Sequence, residues 1–177
     1  MPQLILNSPM AKAFPGMLAD AGDDKVVYSV VNVDTVEIRP GIMVAKGAEP
    51  DDALLLTASN QVVKGIVLRA HTFAQPEEYG DVGIKPKTDF GVLGSGRAWV
   101  IVEGTLPVEG NQVHVRAVAT GLQISGAFRA LKDATTTIDV TPFCRWTGRT
   151  GVAPDGVTNI AELQISIVNR SLALADI

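Results

Sequence analysis

One cysteine, Cys144, stands in a chain of 177 residues. A lone thiol excludes an intramolecular disulfide, and a zinc site would lack the usual thiolate set. Aromatic residues are scarce too, at 5% against 46% apolar residues overall. The core must therefore rest on Val, Leu, Ile and Ala, which suits strands, and so much apolar content excludes a wholly disordered chain. Charge of one sign never gathers into a block, and the net charge is −4. Binding to phosphates needs clustered Lys and Arg, so nucleic acid is not an expected partner. No run of about 18 apolar residues occurs, so no transmembrane helix and no membrane partner are expected. The N-terminus lacks a basic segment leading into an apolar run and a cleavage site. No signal peptide is expected, and synthesis in a reducing cytoplasm fits.

Signatures of catalysis and of cofactors are missing as well. The two histidines, His71 and His114, lie far apart, and no HxH or HxxxH spacing occurs. They read as surface or interface residues. Gly94-Ser95-Gly96-Arg97 is a lone GxG before a strand, whereas phosphate cradles stand before a helix. It predicts a tight hairpin turn. Asp20, Asp23 and Asp24 lack the alternate spacing of a calcium loop and suit a turn or capping role. Glu77, Glu78 and Asp81, set among Pro76, Tyr79 and Gly80, read as a solvated turn. Nothing brings nucleophile, base and oxyanion donor together. The expectation is no enzyme, no cofactor and no metal site.

What the chain does have is turns and strands. Its 17 Gly and 10 Pro residues imply many turns and few long helices. Met1 to Lys12 keeps no period and reads as an extended arm or a frayed end. From Lys25 onward strand follows strand. Lys25 to Val33 is rich in Val, and Gly41 to Ala45 follows a Pro-Gly turn. Val62 to Ala70 carries Gly65 as a candidate bulge. Arg97 to Glu103 is apolar on both faces at its centre and should be buried on both. Gln112 to Ala117 alternates, with Gln112, His114 and Arg116 on the expected outer face. Ile160 to Val168 alternates more clearly, with Glu162, Gln164 and Ser166 on its expected wet face. Asp51 to Leu56 has room for a helical turn, and Leu131 to Thr137 suits strand or loop. The turn spacing predicts an all-β sandwich or barrel.

Two segments read as interaction surface. Ala13 to Gly22, AFPGMLADAG, places Phe14 and Met17 around Pro15-Gly16, a dipeptide that fits a type II turn. Phe14 and Met17 would anchor the exit point of the arm, either on their own body or on a neighbour. Arg145-Trp146-Thr147-Gly148-Arg149 sets two cations beside an aromatic, the composition enriched in protein interfaces. A packed strand edge accounts for it equally well.

AFPGM followed by a β-rich body resembles the structural cement proteins of tailed bacteriophages. The likeness continues in order through Gly65-Ile66-Val67-Leu68-Arg69, Val92 to Val102 with its Gly96-Arg97-Ala98-Trp99-Val100 core, Val108 to Val115, Gly126-Ala127-Phe128, and Ala161 to Ile167. Asn111 replaces a usual Asp, and residues 132–156 leave room for an inserted loop or extra hairpin. The resemblance implies an all-β, jelly-roll-like body at 14–177, forming a single domain behind an N-terminal arm at 1–13. It implies a non-catalytic homo-oligomer, a homodimer or homotrimer, bound to the major capsid protein on the virion exterior. There it would stabilise the shell against the pressure of packaged DNA. The different-class alternative is a carbohydrate-binding β-sandwich for host recognition. That reading needs exposed aromatics, for which Trp146 and Tyr79 are the visible candidates.

Overall fold

The computed structural model describes residues 13–19, 25–69, 83–133 and 136–167. Among these residues there are ten strands and no helix. The longest strand, β5 (Asp89–Ile101), organises the rest. Its first half is flanked by β1 (Val26–Asn32) and β4 (Val63–Val67), both antiparallel to it. From β4 the sheet continues through β2 (Met43–Lys46) to β3 (Asp52–Leu54), and β3 lies parallel to β1. The ring β1-β3-β2-β4-β5 closes on itself, so each of its strands has a neighbour on both sides. Closure removes the open edges that invite aggregation. The second half of β5 carries β10 (Asn159–Ser166), and β10 carries β9 (Cys144–Val152). A second, three-stranded sheet has the order β7 (Phe128–Arg129), β6 (His114–Arg116), β8 (Thr137–Asp139). The fold is all-β with barrel and sandwich character, as the turn spacing predicts.

Strand alternation sorts the apolar residues into separate cores. Phe90 and Val92 of β5 join Val30, Val44, Ala53 and Val67, one or more from every strand of the ring, to fill the barrel interior. Leu93, Ala98 and Val100 face the other way. There they meet Met43, Ile66, Trp146 and Leu163, together with Val115 and Phe128 of the small sheet. Trp99 belongs to a third cluster with Ala13, Ala153 and Ile160. The last part of β5, Ala98 to Ile101, is thus buried on both faces, which is why its sequence is continuously apolar rather than alternating.

Several details differ from the sequence reading. Gly94-Ser95-Gly96 is not a hairpin turn but the middle of β5, where β1 gives way to β10 as the paired strand. The helical turn allowed for Asp51 to Leu56 is instead β3, which the ring needs in order to close. His114 and Arg116 are buried, not on an outer face, because the β6 sheet is covered on both sides. Glu162 is buried likewise. Gly65 does mark an irregularity: the β2–β4 register passes from Val44↔Gly65 to Ala45↔Val63 and skips Lys64. Residues 137–152 of the longer C-terminal stretch supply β8 and β9. His71, Tyr79, Asp20, Asp23, Asp24, the acidic 77–81 turn and the 1–12 segment lie outside the described residues.

Candidate interaction surface

Phe14-Pro15-Gly16-Met17 forms the expected turn. Met17 N donates to Phe14 O at 3.1 Å, and Gly16 has φ of 77°. Pro fixes the second position and glycine tolerates the third, which is type II geometry. The segment then runs along β5 as an added edge. Gly16 N donates to Trp99 O at 2.7 Å, Trp99 N to Met17 O at 2.9 Å, and Ala19 N to Arg97 O at 3.0 Å. A second Pro-Gly turn, Pro40-Gly41, nests against the first. A Cβ on Gly16 would lie 2.7 Å from Pro40 Cβ, and one on Gly41 would lie 2.8 Å from Pro15 Cβ. Neither turn has room for a side chain at its glycine. Arg69 closes the arrangement: its N donates to Gly16 O at 2.9 Å, and its guanidinium covers the Phe14 ring at 4.6 Å. That cation–π contact is worth about 0.5–1 kcal/mol at a partly exposed site. Phe14 is half-buried against its own chain, whereas Met17 is exposed. Ala13, immediately before the turn, is buried with Trp99, Ala153 and Ile160.

The second candidate segment divides by strand alternation. Trp146 is a core residue, not a surface one. It is 2% exposed, its Nε1 donates to Gln112 O at 3.0 Å, and it meets Phe128 edge-to-face at 6.3 Å. Arg145, its neighbour in β9, points outward and donates from Nε and Nη2 to Gln164 Oε1 at 3.0 and 2.7 Å. A register shift between Ala161 and Leu163 brings Arg149 beside Glu162. Arg149 Nη1 lies 3.1 Å from Glu162 Oε2, and Arg97 Nη1 lies 3.9 Å from Oε1. The Glu162 side chain is 2% exposed, against 70% for Arg149 and 44% for Arg97. One sunken carboxylate thus orients two guanidiniums that still face solvent, and the spot is net cationic. Glu162 is in register with Trp99, and the Phe14–Ala19 backbone bonds to Trp99 and Arg97. The turn and the arginines therefore occupy neighbouring positions on one sheet. Arg97 and Glu162 were missed from sequence. Both sit in strands whose alternation marks them only as polar, and the register shift that joins them to Arg149 has no local signal.

Other polar clusters are structural. Arg116, 1% exposed, reaches Glu103 at 2.6 Å and Asp133 at 3.1 Å, and Asp133 also takes Arg129 at 3.0 Å. Glu103 Oε1 accepts from Ile124 N, tying the 121–126 loop to the network. Burial pushes the Cys144 thiol up, so it stays protonated inside the core. Among the described residues no group of three or more His, Cys, Asp or Glu is placed to hold a metal ion.

Comparison with known proteins gives a family. The model of the family described as "Structural cement protein (E217 gp24/Pam3 gp6)" matches residues 1–166. Among solved structures, the chain is similar to one in "The capsid of Myoviridae Phage XM1", with TM-score 0.69 and 17% identity, covering 94% of this chain and 97% of that one. At that identity the likeness establishes the shared fold. No curated protein matches the sequence.

Proposed function

Because this chain belongs to the structural cement protein family, with a structural role in the phage capsid, we propose that it binds the outside of the assembled shell at junctions between major capsid subunits. There it holds the subunits against the outward pressure of packaged DNA. The observation that carries this reading is the family match over residues 1–166. The physical logic needs no chemistry. A protein that binds the assembled shell and not free subunits stabilises the shell by mass action, by RT ln(1 + [L]/Kd) per site. An interface of standard size, about 1,600 Å² in total, suffices for specific binding.

The contact surface in this reading is the turn and its cationic neighbours: exposed Met17 with Arg97, Arg145 and Arg149. Apolar groups and arginine are the residues that dominate interface energetics. The oligomer is a homodimer or homotrimer matched to a capsid symmetry axis.

The test is co-sedimentation. The full chain should pellet with heads that lack it and stay in solution with unassembled capsid subunits. Met17→Glu should weaken head binding by about thirtyfold, the equivalent of a roughly 2 kcal/mol hot spot, with an unchanged melting temperature. Equal binding to heads and free subunits, or to neither, refutes the reading.

A further inference from the structure

The closed ring β1-β3-β2-β4-β5 has an end where its interior ceases to be apolar. Inward-facing Val30 is preceded two positions earlier on β1 by Tyr28, and Val44 on β2 is followed two positions later by Lys46. Ala53 on β3 is preceded by Asp51, and the skipped position on β4 is Lys64. These four residues, with Ser29 and Val63, line a hollow of about 540 Å³. Barrel mouths are favoured ligand sites, and this volume lies within the usual range for small-molecule pockets.

The lining has a definite chemistry. Tyr28 is 40% exposed, and its ring lies over Gly94, where any Cβ would collide with its Cε2. The residue that looked like a turn glycine is therefore the seat of an aromatic platform. Lys64 donates from Nζ to Pro50 O, which holds it in the wall of the hollow. Its pKa is lowered by burial; Asp51 and Asp52 oppose this, while the charge of Lys46 adds to it. Two ammonium groups thus share the hollow with a single lining carboxylate, Asp51, so the lining keeps an excess of positive charge that admits one anion. Asp51 offers an acceptor for ligand OH groups.

We propose that this barrel mouth binds a carboxylate-bearing sugar, a hexuronate unit of an acidic polysaccharide. The sugar ring lies on Tyr28, its carboxylate faces Lys46 and Lys64, and its hydroxyls meet Asp51. The site is separate from the turn-and-arginine surface, so the proposal does not depend on the capsid-binding reading.

The test is titration of the full-length, isotope-labelled chain with glucuronate and galacturonate oligomers, followed by amide NMR shifts. Neutral gluco-oligomers and a Glu-rich peptide serve as comparison ligands. Shifts should centre on Tyr28, Lys46, Asp51 and Lys64, with neutral sugars binding at least about tenfold more weakly, as the loss of a charge-assisted contact implies. Lys46→Gln, at an exposed position, should weaken uronate binding about tenfold without changing the melting temperature. Tyr28→Phe should retain most of the affinity and Tyr28→Ser lose it. The proposal is overturned by no shift with any saccharide, equal affinity for neutral and acidic sugars, shifts centred elsewhere, or tighter binding of the peptide at the mouth.

Discussion

Replacing Gly16 with alanine tests whether the nested turns hold the N-terminal segment to the barrel. Two costs add. The φ of 77° at Gly16 is left-handed, and a side chain there costs about 1–2 kcal/mol in backbone strain. The new Cβ would also lie 2.7 Å from Pro40 Cβ, 2.8 Å from Arg69 N and 2.9 Å from Val67 O. Two of those three neighbours are backbone atoms of hydrogen-bonded residues and cannot swing away. Overpacking of this kind costs about 1–3 kcal/mol. The sum is about 2–5 kcal/mol, and at about 2–4 °C per kcal/mol the melting temperature should fall by roughly 4–20 °C. Gly110 isolates the first term, because it has φ of 88° and nothing within 4 Å of its would-be Cβ. Gly110→Ala should therefore cost only the strain, about 1–2 kcal/mol. The assay is urea unfolding of both variants, with amide hydrogen exchange at Trp99 and Ala19, whose N–H groups bond Met17 O and Arg97 O. Equal destabilisation by the two variants, or unchanged exchange at Trp99 in Gly16→Ala, refutes the account of the nested turns.

Arg116→Met should destabilise by about 3 kcal/mol in urea unfolding, because it leaves Glu103 and Asp133 without their buried partner. Adding Glu103→Gln should recover part of that loss, since Gln can still accept from Ile124 N without a stranded charge; no recovery would mean that the cost comes from lost side-chain contact. Asp155 gives a pH test. Burial pushes its carboxyl up, but hydrogen bonds from the Thr158 hydroxyl and from the backbone of Thr158 and Val157 outweigh this and leave it below the ordinary value. Its stabilising contribution is therefore present above the unfolded carboxylate pKa and is lost as pH falls through the lower native value. The stability of the parent chain should drop more steeply below about pH 4 than that of Asp155→Asn, and parallel acid limbs would contradict this.

Much of the fold is legible in the sequence where local chemistry decides the structure. The type II turn at Phe14–Met17 follows from Pro and Gly alone, and β10 follows from the alternation of Ala161, Leu163 and Ile165. The doubly buried stretch of β5 follows from its unbroken apolar run. What is not legible depends on distant partners. Gly94-Ser95-Gly96 has turn composition, yet pairing on both sides holds it extended, and Gly94 is small because Tyr28 lies over it. Arg116 and His114 alternate as outer-face residues should, but the small sheet is buried on both faces, so alternation there separates apolar from paired polar residues rather than dry from wet. The Arg145–Arg149 segment shows the same limit. Its composition suggests one interface patch, whereas alternation sends Trp146 into the core and leaves the arginines outside. Their actual neighbours, Gln164 for Arg145 and Glu162 for Arg149, come from a different strand.

The turn's attachment bears directly on how a cement protein can work. A flexible apolar hook would lose conformational freedom on meeting the capsid, and each immobilised side chain would subtract about 0.5–1.5 kcal/mol from the binding energy. Here the backbone of Phe14–Ala19 is already bonded to β5, Phe14 is clamped under Arg69, and Glu162 holds two arginines in place. In the proposed capsid contact, those ordering costs would be incurred at folding, offset by the closed barrel, and would not recur at the shell. In that contact, force on Met17 would pass through backbone hydrogen bonds to Trp99 and into β5, a strand that touches all three cores. Resistance to expansion then depends on the stability of the barrel as much as on the interface. Variants that loosen the nested turns, such as Gly16→Ala, should lower the pressure that decorated heads withstand more than they lower equilibrium binding to relaxed heads.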